Sequence, residues 1–223
     1  MIKKLYTYRF ELFFFSICAN LFGSLIFLLD IFNTLISPIL FLINILSGII
    51  IFSGRKKHSW LTIIIFCIAL LVFVYRFLSH SEEEVLDYIK LIVYFTFYSL
   101  VTFEIIRQVW NAETVNKSVI FGLMSGYVSI GLIAFFAFLC IELIEPNSFN
   151  GLLPYGTIEE KIDALMYYSY ITLMTIGYGD ITPVSNMAQK ASVFFAMMGQ
   201  FYLVIITAVV IEKYMRHNIQ HKN

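Results

Sequence analysis

The sequence predicts an all-α membrane protein whose helices cross the bilayer six times and include one further, re-entrant helix. Of its 223 residues, 60% are hydrophobic and 13% are charged, which leaves little material for a water-soluble domain. A membrane span needs about 20 apolar residues. Six stretches approach that length: Phe10–Leu29, Ile31 or Leu35 to Phe52, Trp60–Leu78, Tyr88–Ile106, Ser118–Leu143 and Lys190–Ile211. Residues Ile158–Met174 are too short and too polar to cross, which suits a re-entrant helix buried in protein.

Charge placement predicts the orientation of these spans, although the formal net charge is zero. Basic residues cluster in the segments that lie on the cytoplasmic side if six helices alternate. They are Lys3, Lys4, Arg9, Arg55, Lys56, Lys57, Arg107, Lys117, Lys213, Arg216 and Lys222. The opposite loops are mainly acidic, from Asp30 and Glu82–Asp87 to Glu145, Glu159 and Glu160. We therefore expect a multi-pass protein of the cell membrane with both termini in the cytoplasm.

The polar linker Gln108–Lys117 divides the chain into two predicted domains. Residues 1–112 form a four-helix membrane domain, and residues 113–223 form an outer helix, a re-entrant helix, a loop, an inner helix and a short basic tail. Little chain follows Ile211, so we expect no cytosolic regulatory domain. The sequence contains no phosphate-binding Walker loop or zinc-protease motif, and we predict no enzymatic activity, no cofactor and no nucleic-acid partner.

The loop after the re-entrant helix reads Thr-Ile-Gly-Tyr-Gly-Asp at positions 175–180. If four copies met around one axis, stacked rings of oxygen atoms would replace the hydration shell of a potassium ion. These atoms are the Thr175 hydroxyl and the carbonyls of Thr175, Ile176, Gly177 and Tyr178. Carbonyls that all point one way require unusual dihedral angles at alternate residues, which Gly177 and Gly179 adopt without a Cβ penalty. The loop is therefore predicted to be an ion-selectivity filter with potassium as its permeant ligand.

The residues around the filter make the pattern more specific. Asp163–Tyr168 leads through Ser169 and Thr172 into the filter, and Ile181-Thr182-Pro183 leaves it. This pattern resembles the pore region of the tetrameric potassium channel superfamily, whose signature is a short pore helix, Thr-x-x-Thr-Val-Gly-Tyr-Gly-Asp and a later Pro. Here Ile176 replaces the usual Val, and Tyr167 and Tyr168 replace a common Trp pair. The resemblance implies a homotetramer whose filter is supported by Asp180, Tyr167, Tyr168 and Thr172.

The last span is predicted to line the inner part of the pore. Gly199 lies where the resembling family has a hinge glycine, although a small residue for close helix packing explains it equally well. Gln200, Leu203, Thr207 and Ile211 recur at helical spacing, which assigns them to a face on the cavity and inner mouth. Gln200 is expected either to face cavity water or to bond across a helix contact.

The fourth span lacks the ladder of basic residues that a voltage sensor needs. It has Lys90 at its outer edge, Glu104 near its inner edge and Arg107 just beyond. Steep voltage dependence requires about three to four charges per subunit to cross the field. We therefore predict that opening depends only weakly on voltage.

Three alternatives remain open at this stage. A non-selective cation channel is compatible with the motif, because filter geometry decides selectivity. An intramembrane aspartyl protease would use the Gly-x-Gly-Asp pattern of Gly177–Asp180, but it needs a second carboxylate, and Asp30, Asp87 and Asp163 lie at span edges or in loops. A non-conducting assembly subunit is the third.

Overall fold

The computed structural model describes residues 2–26, 32, 36–53, 56–79, 84–152 and 158–220, and these are mostly helical. The helices are α1 (Ile2–Thr7), α2 (Arg9–Phe22), α3 (Ser37–Phe52), α4 (Lys56–Ser79), α5 (Glu84–Trp110), α6 (Lys117–Ile144), α7 (Ile158–Leu173) and α8 (Asn186–Gln220). A 3-10 turn, Gly23–Leu25, follows α2. Two short strands, β1 (Phe149–Asn150) and β2 (Thr182–Pro183), pair antiparallel with Phe149 opposite Pro183. The predicted helical class is confirmed.

Three helical segments within the described residues are long and apolar enough to cross a membrane. They are Leu91–Trp110, Lys117–Ile144 and Asn186–Val209. The segments Ser37–Phe52 and Trp60–Tyr75 are apolar but shorter. The apolar helices indicate a membrane protein, and the count of six spans stays a prediction. The orientation also stays a prediction, because several residues that support it lie outside the described residues: Asp30, Arg55, Glu82, Glu83 and Lys222.

The described chain forms two compact units, Met1–Gly126 and Tyr127–Asn223. The division falls inside α6, whereas the predicted boundary at 112/113 follows the polar linker between α5 and α6. The sequence boundary marks a change in composition, and the structural boundary marks where packing partners change. The predicted domain assignment stays a prediction.

In the first unit, a buried hydrogen-bonded network joins α2, α3 and α5. The side-chain amide nitrogen of Asn44 donates to the Ser16 hydroxyl at 2.8 Å, and the Tyr98 hydroxyl donates to the amide oxygen of Asn44 at 2.9 Å. The hydroxyl oxygen of Ser47 lies 3.1 Å from the hydroxyl oxygen of Ser16 and completes the cluster. Polar groups in an apolar interior are costly unless they are paired, so this network fixes how the three helices pack.

The charged residues at the end of α5 neutralise one another within this unit. Glu104 is only 4% exposed and accepts hydrogen bonds from Arg107 at 2.6 Å and from Gln108 at 2.8 Å. Gln108 in turn accepts a hydrogen bond from Arg9 at 2.8 Å. The side chain of Lys90 lies outside the described residues. In the described part of α5, the acid and the base at positions 104 and 107 therefore form a pair rather than a ladder of like charges.

In the second unit, α7 contacts both α6 and α8. The Tyr170 ring lies so close to Gly131 that a Cβ there would overlap it, and the Tyr170 hydroxyl donates to the carbonyl of Val128 at 2.8 Å. Further along α6, Phe138 meets the rings of Tyr168 in α7 and Phe195 in α8 at centroid distances of 5.1 and 5.5 Å. These contacts hold α7 firmly, so the loop that follows it begins from a fixed position.

Candidate functional site

The loop after α7 has a backbone that alternates in handedness. Thr175, Gly177 and Gly179 have positive φ angles of 58°, 57° and 84°, and the residues between them do not. Alternation of left-handed and right-handed residues turns successive carbonyls to the same side of the chain, as an oxygen-lined pathway requires. Among the described residues, the carbonyls of 175–178 accept no hydrogen bond. These oxygens are therefore available to a ligand.

The base of the filter is tied to the last turn of α7 through the backbone. The amide of Thr175 donates to the carbonyl of Thr172 at 3.0 Å, and the amide of Ile176 donates to the carbonyl of Ile171 at 2.9 Å. The contribution of Thr172 to the filter is therefore its carbonyl. The carboxyl end of α7 carries partial negative charge, which favours a cation in front of it.

Thr175 is the residue whose backbone the sequence did not reveal. A positive φ angle at Gly177 and Gly179 is expected from their residue type, because glycine adopts it readily. A threonine with φ 58° is uncommon. The same argument that requires left-handed residues at alternate positions extends back two residues from Gly177 to Thr175. The alternation of left-handed residues was therefore the signal in the sequence from which a positive φ angle at Thr175 could have been predicted.

The outer end of the filter is braced by the segment that follows α6. Strand β1 pairs with β2 directly after the filter, and the amide of Val184 donates to the carbonyl of Ser148 at 2.8 Å. Gly151, with φ 93°, leaves no space for a Cβ beside the carbonyl oxygen of Asp180. A bulkier residue at 151 would therefore displace the strand that leaves the filter.

A buried carboxylate holds this brace in place. Glu142 is 4% exposed and accepts hydrogen bonds from the amides of Asn147 at 3.1 Å and Ser148 at 3.0 Å. The ammonium group of Lys161 lies 3.5 Å from the same carboxylate. Sequence reasoning missed Glu142, although an acid inside the apolar run 138–144 was a visible signal.

The two tyrosines predicted to support the filter do different things. Tyr167 is 39% exposed, and its hydroxyl interacts electrostatically with the Asp180 carboxylate. Tyr168 is buried, and its hydroxyl lies 2.7 Å from that of Ser192 in α8. The structure therefore places Tyr167 beside Asp180 and places Tyr168 between α7 and α8.

The inner helix approaches the base of the filter at Gly199. A Cβ at this glycine would collide with the carbonyl oxygen of Leu173 and lie 2.9 Å from a methyl carbon of that residue. Close packing therefore requires a glycine here, while α8 continues through it without a break. The next residue, Gln200, donates a hydrogen bond to the Thr175 hydroxyl at 3.0 Å.

The rest of the predicted cavity face is uncovered within the chain. Leu203, Thr207 and Ile211 are exposed, whereas Tyr202 and Ile206 on the other face of α8 are buried. Exposure in one chain is what a face turned toward a central cavity would show, but a lipid-facing surface is exposed as well. The assignment of these three residues to the cavity stays a prediction.

A comparison with known protein families points to this same region. Residues 155–216 match a family model described as ion channel. The chain is also similar to two-pore potassium channel 2 of Arabidopsis thaliana, with 30% identity over 100 residues. That match covers 45% of this chain and 19% of the relative, so the chain spans only a small part of the relative's length. No solved structure matches the chain.

Proposed function

We propose that the chain belongs to the potassium channel superfamily and that it conducts potassium ions passively across the cell membrane through a filter built from residues 175–179 of four identical subunits. The ion channel family model and the potassium channel relative support an ion channel rather than an enzyme, in agreement with the resemblance in the sequence. The proposal includes three specific features: potassium selectivity, the fourfold assembly, and six spans with both termini in the cytoplasm.

The observation that carries the proposal is the alternating backbone of the filter. Positive φ at Thr175, Gly177 and Gly179 directs successive carbonyls to one side, and those carbonyls have no partner among the described residues. A potassium ion loses its water only where enough oxygen atoms replace it. The strand has this chemistry, and the carboxyl end of α7 adds a favourable field.

The single chain is incomplete as a pore, which supports a homotetramer. Tyr178 is 71% exposed, and irregular backbone at membrane depth is tolerated only where protein buries it or where it lines a water-filled cavity. Within the apolar stretch Asn186–Val209, only 22% is buried inside the chain, compared with 61% for Lys117–Ile144. Three further copies around one axis would cover part of this surface and complete each oxygen ring.

The proposed channel opens with little dependence on voltage. The pairing of Glu104 with Arg107 leaves almost no net charge at that end of α5. A charge pair that moves together contributes little gating charge, because the field does opposite work on its two members. The proposed role of the four-helix part is to support the pore against lipid or to transmit a signal other than voltage.

Ion flux from liposomes that contain only this protein tests the proposal. We expect potassium to leave far faster than sodium, and subunit counting in mild detergent should give four. Equal fluxes of the two ions would favour the non-selective cation channel. A chain that assembles but passes neither ion would favour the non-conducting subunit, and peptide cleavage lost on Asp180→Asn would favour the protease.

A further inference from the structure

The inner mouth of the filter contains a side-chain contact that a pathway of backbone carbonyls does not itself require. The amide nitrogen of Gln200 donates to the hydroxyl oxygen of Thr175 at 3.0 Å. Both residues are exposed in the part of the chain that the structure describes. The Thr175 hydroxyl is the only side-chain oxygen in the proposed set of ion ligands.

Helix packing places Gln200 at this point. The carbonyl of Leu173, at the end of α7, touches α8 at Gly199, where there is no space for a Cβ. Thr175 lies two residues after Leu173, and Gln200 lies one residue after Gly199. This close contact between the two helices therefore brings the glutamine amide to the threonine hydroxyl.

A hydroxyl oxygen that accepts one hydrogen bond has one acceptor position left. Without a partner, the Thr175 side chain is free to sample its three staggered rotamers, and only some of them direct the oxygen at an ion. With the Gln200 amide in place, one rotamer is held. We propose that Gln200 is a specificity-determining residue that positions the Thr175 hydroxyl and so sets how strongly the innermost ion site holds cations entering from the cavity. This inference rests on the proposed channel function.

Two effects of the amide oppose each other at this site. The N–H group holds the hydroxyl oxygen in place, but its positive end also reduces the negative charge that a cation would meet. The N–H group points at the hydroxyl oxygen of Thr175, so its field at an ion is indirect, whereas a misdirected hydroxyl removes a ligand atom outright. We therefore expect the positioning effect to dominate.

The size of the effect follows from rotamer counting. If three rotamers are equally populated once the amide is lost, each subunit keeps the productive rotamer about a third of the time. Over four subunits the upper limit is about an 80-fold loss of affinity, and loss in a single subunit gives about threefold. The expected result lies between these values.

Block by barium from the cytoplasmic side measures the affinity of this site, because Ba²⁺ resembles K⁺ in size and its double charge binds oxygen ligands more strongly. Gln200→Leu should weaken the block about 3-fold to 80-fold by the rotamer count above. Gln200→Asn keeps an amide but is one methylene shorter, so it should weaken the block similarly. Gln189→Leu is a matched control. The Gln189 amide lies in the first turn of α8 and donates to the carbonyls of Pro183 and Val184, not to the Thr175 hydroxyl. Its block should be unchanged.

A double-mutant cycle separates positioning from a general effect of polarity in the cavity. Thr175→Val removes the hydroxyl, so adding Gln200→Leu to it should change barium block no further. Unchanged or tighter block in Gln200→Leu, wild-type block in Gln200→Asn, or additive losses in the double variant would each overturn the proposal. Wild-type liposomes without potassium flux would instead reject the channel function and this inference with it.

Discussion

Replacing Gly177 with alanine should abolish potassium conduction by straining the backbone rather than by crowding it. Gly177 has φ 57°, and a Cβ there would lie within 4 Å of none of the described atoms around it. The left-handed conformation costs an L-residue roughly 1–2 kcal/mol, so four subunits would lose about 4–8 kcal/mol in the conducting form. Because each 1.4 kcal/mol is tenfold, the population of that form should fall by about 1,000-fold or more.

The assay is the rate of potassium efflux from liposomes that contain equal numbers of assembled channels. A semisynthetic chain with D-alanine at position 177 is the matched control, since its Cβ adds the same volume but favours positive φ. We expect the D-alanine channel to conduct and the L-alanine channel not to. Wild-type efflux from the L-alanine channel would refute the strain argument, and loss of efflux in both would identify crowding between subunits as the cause.

Three further predictions address the brace, the inner helix and the first unit. Glu142→Ala should lower the dissociation temperature of the assembled channel in detergent, because two amides lose their acceptor at about 1–3 kcal/mol each; an unchanged temperature would contradict this. Gly199→Ala should weaken packing against Leu173 by about 1–3 kcal/mol, also measured by thermal dissociation, and an equal or more stable variant would disprove the close contact. Arg107→Gln should leave single-channel open probability nearly independent of voltage, whereas loss of several elementary gating charges on this change would show that the pair with Glu104 senses the field.

The sequence located the loop that we propose as the filter, because the backbone requirements of such a loop are local. A positive φ angle favours glycine, and Gly177 and Gly179 both have one. The length and polarity of residues 158–174 likewise predicted the short helix, which the structure places at Ile158–Leu173. Residue type and spacing were sufficient for these features, since each depends on a few neighbouring residues.

Other parts of the site depend on contacts between distant residues. The left-handed Thr175 is not evident from its residue type, and strand β1 forms only because its partner β2 lies beside it. The sequence also left two roles open for Gly199 and two for Gln200. A Cβ at 199 would collide with Leu173, and Gln200 bonds to Thr175 while it remains exposed; the roles of both residues stay predictions.

The sequence by itself determined that the chain has apolar helices, a short helix and a loop with the backbone freedom of a filter. Only the tertiary structure decided which side chains surround that loop. Glu142 illustrates the reason: its carboxylate is stable at 4% exposure because two amides and Lys161 converge on it. Apolar periodicity and glycine positions are properties of short segments, whereas the partners of a buried charge are fixed by packing between helices far apart in the chain.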